Sequence, residues 1–152
     1  MNLTTEPQQV NWPETHYVFV EKSGAFMVTA PQAWGEAHSL VPALLQHNEI
    51  KGYMSLYKMG PEIYRAGFSL SAPPVNVPEG LQYTKFNGGK YIRFVLTGPY
   101  SNLPDASGRV WAMVSEQKIQ LRDDFAIEHY LNDPRITPAE QLVTEILVPT
   151  LE

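Results

Sequence analysis

The chain has 152 residues, of which 43% are hydrophobic and 11% aromatic, so it is long and apolar enough to bury a core as a globular domain. Its formal net charge of -5, with no two Lys or Arg residues adjacent, argues against a surface that tracks phosphates, and no direct nucleic-acid role is expected. The absence of cysteine excludes disulfides, thiolate nucleophiles and thiolate metal sites.

The first 15 residues carry Pro7 and Pro13 and little periodicity, and read as an extended lead-in to a domain over 16–152. Met1 to Gln9 is polar, without a basic segment followed by an apolar run, so no secretory signal is expected, and no stretch approaches a membrane span. A cytoplasmic, bacterial protein with no membrane association fits these features. A strand begins at His16. From Pro31 to His47, the apolar positions Ala33, Ala37, Leu40, Val41, Leu44 and Leu45 follow helical spacing; Pro31 suits a first turn, and Pro42 should kink or split the helix. Two strands follow, about 52–58 and 63–70, turning at Gly60-Pro61. The stretch 71–89, with Pro73, Pro74, Pro78 and Gly88-Gly89, reads as a linker. A second cycle comprises a strand over 90–96, a helix over 104–118 with Ala106, Val110, Met113 and Val114 on one face, and a strand pair over 125–131 and 142–148.

The two cycles resemble each other. Tyr17-Val18-Phe19-Val20, then Ser23-Gly24-Ala25-Phe26, a helix with Trp34, and Met54-Ser55-Leu56-Tyr57 are answered by a second set in the same order. That set is Tyr91-Ile92-Arg93-Phe94-Val95, Thr97-Gly98-Pro99-Tyr100, a helix with Trp111, and Ile127-Glu128-His129-Tyr130. The duplication predicts two similar modules, about 16–70 and 90–150, related by a pseudo-twofold axis, with a concave site expected at the seam between them.

Strand alternation places Glu128 and Tyr130 on one face and Ile127, His129 and Leu131 on the other. If the helices cover Ile127, Ile146 and Val148, then Glu128, Tyr130 and Glu145 line the helix-free face, with Tyr53 and Tyr57 at matching positions of the first module and Ser55 where the second has Glu128. Trp34 and Trp111 read as core anchors whose repeated placement leaves a cleft role open. A carboxylate hemmed by aromatic rings favours a cationic ligand, and two neighbouring carboxylates would raise the pKa of one of them. The competing reading leaves both glutamates on a solvated sheet face. His16, His38, His47 and His129 lack ligand-like spacing, so no metal site is expected, and no Gly-rich phosphate loop or nucleophile elbow is present; no cofactor is expected.

Tyr91-Ile92-Arg93-Phe94-Val95-Leu96-Thr97-Gly98-Pro99-Tyr100, Ile127-Glu128-His129-Tyr130-Leu131-Asn132-Asp133 and Thr144-Glu145-Ile146-Leu147-Val148-Pro149 together resemble the GyrI-like small-molecule-binding domain, also called the AraC effector-binding domain. The resemblance spans roughly 16–150. It implies an α+β fold of two pseudo-symmetric β-α-β-β modules, with an antiparallel sheet, helices on one face and a ligand groove on the other, and it implies Glu128 as the principal pocket anion and Glu145 as a second. Leu147 stands where some members carry a pocket tyrosine, and no helix-turn-helix accompanies the domain, so a stand-alone form is expected. The leading functional expectation is capture of a small cationic or amphipathic aromatic compound. Alternatives are hydrolysis of reactive small electrophiles, with Glu128 activating water and Tyr130 orienting it or donating a proton, and a protein-partner role, with gyrase or a regulator, of the kind the family's namesake plays.

Overall fold

A computed structural model describes residues 1–151, which divide into two compact units, one over 13–88 and one that joins 1–12 with 89–151. Among the described residues there are nine strands, three α-helices and two short 3₁₀ turns.

The first unit holds β3 (Thr15–Ser23), α1 (Phe26–Ser39), α2 (Val41–Leu45), β4 (Ile50–Lys58), β5 (Ile63–Leu70) and β6 (Gln82–Phe86). Its strands are antiparallel in the order β4-β5-β3-β6. The helix expected from Pro31 begins five residues earlier, and Pro31 lies inside α1. Proline is tolerated there at the loss of one donor, which would have bonded to the carbonyl of Met27, an exposed residue. Pro42 does split the helix, sitting in the first turn of α2 where its missing N–H is not needed. Ala33, Ala37 and Leu44 are buried as their spacing requires, whereas Leu45 is exposed. The stretch read as linker contains β6, which covers the outer edge of β3. Gly67 permits the tight packing of β5 on the helix-free face: a Cβ there would lie 2.2 Å from the carbonyl oxygen of Val18 and 2.8 Å from the Tyr17 ring. Tyr17 lies buried across this point and donates its hydroxyl to the Met54 carbonyl at 2.9 Å.

The second unit repeats the plan with β7 (Gly89–Thr97), α3 (Leu103–Glu116), β8 (Ala126–Tyr130) and β9 (Val143–Pro149), in the order β7-β9-β8. The lead-in completes it. Residues of β1 (Asn2–Leu3) and β2 (Gln8–Trp12) pair antiparallel with β7, so the N-terminal segment occupies the edge that β6 occupies in the first unit. Ala106, Val110 and Val114 of α3 pack on Ile92, Phe94, Leu96, Ile146 and Val148, with Trp111 and Met113 at the margin. Ile146 and Val148 thus lie beneath a helix, as the β-branched pattern predicts. Ile127 does not. It crosses from Leu147 on the opposite face, where both are fully buried.

Candidate functional site

The register between β8 and β9 decides which side chains meet. Directly opposed residues share a face, and the pairs are Ile127 with Leu147, Glu128 with Ile146, His129 with Glu145 and Tyr130 with Thr144. Glu128 and Tyr130 therefore stand on the face that α3 covers, not on the helix-free face expected from the sequence. The parity within each strand is as expected, but the offset between the strands is one residue away from the one that would bring Ile127 and Ile146 together.

Glu128 is partly buried, and its carboxylate accepts a hydrogen bond from the Tyr130 hydroxyl at 2.8 Å. That is its one partner among the described residues; no Lys, Arg or His pairs with it. Loss of water raises its pKa above the usual 4.5, and the Tyr130 hydrogen bond offsets part of the rise. The cause is desolvation, not repulsion from a second carboxylate. The ring of Tyr100, in the turn before α3, meets Tyr130 edge-on at 5.6 Å. Tyr100 was not among the expected site residues, although the parallel between Gly24-Ala25-Phe26 and Gly98-Pro99-Tyr100 pointed to it, since Phe26 similarly lies 5.8 Å from Tyr57.

Glu145 is on the other face and belongs to a different constellation. It accepts from Arg93 Nη1 at 3.0 Å and interacts with His129 Nδ1 at 2.8 Å, and these partners hold its pKa below 4.5, the hydrogen bond to His129 contributing most. Arg93 also donates to Gln8 of β2 at 2.6 Å, while Trp12 meets His129 edge-on at 5.2 Å, so the acid that was expected to join Glu128 instead fastens the N-terminal strand.

In the first unit, Tyr53, Ser55 and Tyr57 share the face that α1 covers, opposite Phe68, Ala66 and Tyr64 respectively. Trp34 of α1 stacks on Tyr53 at 6.5 Å and donates its indole N–H to the Tyr64 hydroxyl at 2.9 Å and to Ser55 Oγ at 3.2 Å. Ser55 and Tyr64 also hydrogen-bond each other at 2.6 Å. Trp111 holds the corresponding place on α3, directly after buried Val110 as Trp34 follows buried Ala33. Its indole N–H is buried and has no partner among the described residues, and the same is true of the hydroxyl of Thr144, which is fully buried across from Tyr130.

No group of His, Asp or Glu suited to a metal ion occurs among the described residues, and no helix there is long and apolar enough to cross a membrane. Two shallow concavities of 320 and 470 Å³ border β2, β7 and the end of α3; neither is lined by Glu128, Tyr130 or Trp111.

The GyrI-like small molecule binding domain model matches residues 5–151, nearly the whole chain, which carries two β-α-β-β units with Glu128 on the first strand after the helix of the second. The chain belongs to the GyrI-like family. Among solved structures, the EcmrR C-terminal domain has a TM-score of 0.78 at 12% identity, covering 97% of this chain and 98% of that one. SAV2435, solved with tetraphenylphosphonium bound, has a TM-score of 0.73 at 13% identity over 95% of this chain and 93% of its own. A hydrolase from Listeria innocua has a TM-score of 0.59 at 12% identity, covering 95% and 91%. At these identities the likeness is one of fold. No curated protein matches the sequence significantly. A GyrI-like domain of this kind is a small-molecule-binding module.

Proposed function

We propose that this GyrI-like domain binds small organic cations with aromatic or amphipathic character, and that Glu128 is the anion that receives them. One observation carries the reading: a desolvated carboxylate whose sole partner among the described residues is a neutral tyrosine hydroxyl. A buried charge without a counter-charge is costly, and a ligand that brings the cation recovers that cost while the rings of Tyr130 and Tyr100 supply apolar and cation–π contact. The phosphonium-bound state of SAV2435, a protein of the same fold, supports this ligand class. Isothermal titration with tetraphenylphosphonium chloride is the direct test. The parent protein should bind and Glu128→Gln should bind at least ~10-fold more weakly, the scale expected when a desolvated charge pair loses one member. Equal affinity for the two proteins would remove Glu128 from the site.

The hydrogen bond between Tyr130 and Glu128, together with a hydrolase among the structural neighbours, favours a second reading in which the pair attacks a strained-ring electrophile. Glu128 would take a proton from water as its oxygen bonds to carbon, and Tyr130 would protonate the ring heteroatom as the ring opens. Turnover of an epoxide that vanishes in both Glu128→Gln and Tyr130→Phe supports this reading; turnover unchanged in both removes it.

A further inference from the structure

Corresponding positions of the two units carry the same tryptophan and different surroundings. In the first unit the strand residue opposite Tyr57 is Tyr64, whose hydroxyl, with Ser55 Oγ, occupies the indole N–H of Trp34. In the second unit the residue opposite Tyr130 is Thr144, and Glu128 stands where Ser55 would be. Threonine is shorter than tyrosine by a whole ring, so it does not reach the indole, and both Trp111 Nε1 and Thr144 Oγ1 are left without a partner among the described residues although both atoms are buried from water. Unmade hydrogen bonds at buried groups are rare in folded proteins, and two on one helix-covered face beside an acid without a counter-charge point to a group brought from outside.

We infer that Trp111 and Thr144 select ligands which carry a hydrogen-bond acceptor, such as a hydroxyl or ether oxygen, close to the cationic centre. The indole N–H can only donate, so the ligand atom it recognises must accept; the threonine hydroxyl can donate to the same atom or accept from a ligand hydroxyl. The charge is read by Glu128 and the neighbouring oxygen by Trp111 and Thr144, which turns a general receptor for lipophilic cations into one for polar-substituted cations. Such a site discriminates because a ligand without the oxygen leaves the buried donors unsatisfied in the complex as well.

This inference rests on the cation-binding reading above, and the test separates the two. Two cations of nearly equal size are titrated, hydroxyethyltriphenylphosphonium and propyltriphenylphosphonium, which differ by a hydroxyl in place of a methyl group. The parent should prefer the hydroxyethyl compound by roughly three- to tenfold, the worth of one net hydrogen bond. In Thr144→Val, which keeps shape, and in Trp111→Phe, which keeps an aromatic ring, the polar atom is removed and that preference should shrink towards one, while Thr144→Ser should retain it. Absence of preference in the parent, or a preference that survives in both Thr144→Val and Trp111→Phe, overturns the inference while leaving cation binding intact. Failure of both compounds to bind, or equal binding of both by Glu128→Gln and the parent, overturns the cation reading and this inference with it.

Discussion

The two units share a backbone plan and differ in how they close it. In the first, Trp34, Ser55 and Tyr64 satisfy one another in a triangle of hydrogen bonds under α1. In the second, among the described residues, the indole N–H of Trp111 and the hydroxyl of Thr144 have no partners and the Glu128 carboxylate has one. Replacing Ser55 by an acid and Tyr64 by a shorter hydroxyl is enough to convert a finished polar core into an unfinished one. On the reading proposed above the two modules divide labour: in one the tryptophan N–H is met within the unit, and in the other the unmet hydrogen bonds and the charge are offered to a ligand.

The largest effect should come from making the second unit like the first. Glu128→Ser combined with Thr144→Tyr would give Trp111 the partners that Trp34 has, and tetraphenylphosphonium affinity should fall by about 10- to 100-fold, because the counter-charge is gone and its place is filled. Titration calorimetry on the double variant measures this; retained affinity would show that the two networks are not functional counterparts. In the first unit, Trp34→Phe should leave ligand affinity untouched and lower stability by about 1 to 3 kcal/mol in denaturant unfolding, since Ser55 and Tyr64 lose the indole N–H.

Opposite pH signatures should distinguish the two acids of the second unit. Glu128 has a raised pKa, so folding favours its protonated form, and stability from this group falls as pH rises through its usual value of 4.5 towards the raised folded value. Glu145 has a lowered pKa, so its contribution is fully present above 4.5 and is lost as pH falls through its folded value. Unfolding midpoints from about pH 3 to pH 7 should therefore show Glu128→Gln gaining on the parent as pH rises, and Glu145→Gln losing ground over acidic pH. Cation affinity should also decline on acidification as the Glu128 carboxylate is neutralised. The smallest effect belongs to Thr144→Val without ligand: removing an unpartnered buried hydroxyl while keeping side-chain shape should raise stability by about 1 kcal/mol, visible as a higher Tm.

Much of this could be read from the chain itself. Helical spacing at Ala106, Val110 and Val114, period-two alternation along β7 and β9, and the recurrence of strand, Gly turn, Trp-bearing helix and strand pair come from local periodicity, which needs no partner to be expressed. Glu128 and Tyr130 share a face for the same reason. Which face was decided elsewhere. A tight hairpin would have tied the register of β8 and β9 to its turn type, but residues 131–142 separate these strands, and the offset is set by contacts such as the Val143 amide donating to Asn132 Oδ1 at 2.6 Å and the Leu131 amide to the Val143 carbonyl at 3.1 Å. A slip of one residue there carries every side chain of β8 to the other side, which is why Glu128 stands under α3 while Glu145 is taken by Arg93 and His129. The N-terminal strand likewise has no periodicity strong enough to announce itself, because an edge strand of five residues gains its stability from the backbone of β7 and from Gln8 and Trp12 finding partners far along the chain. Local chemistry fixed the elements and their faces; pairing across long loops, available only to the folded chain, fixed which faces met.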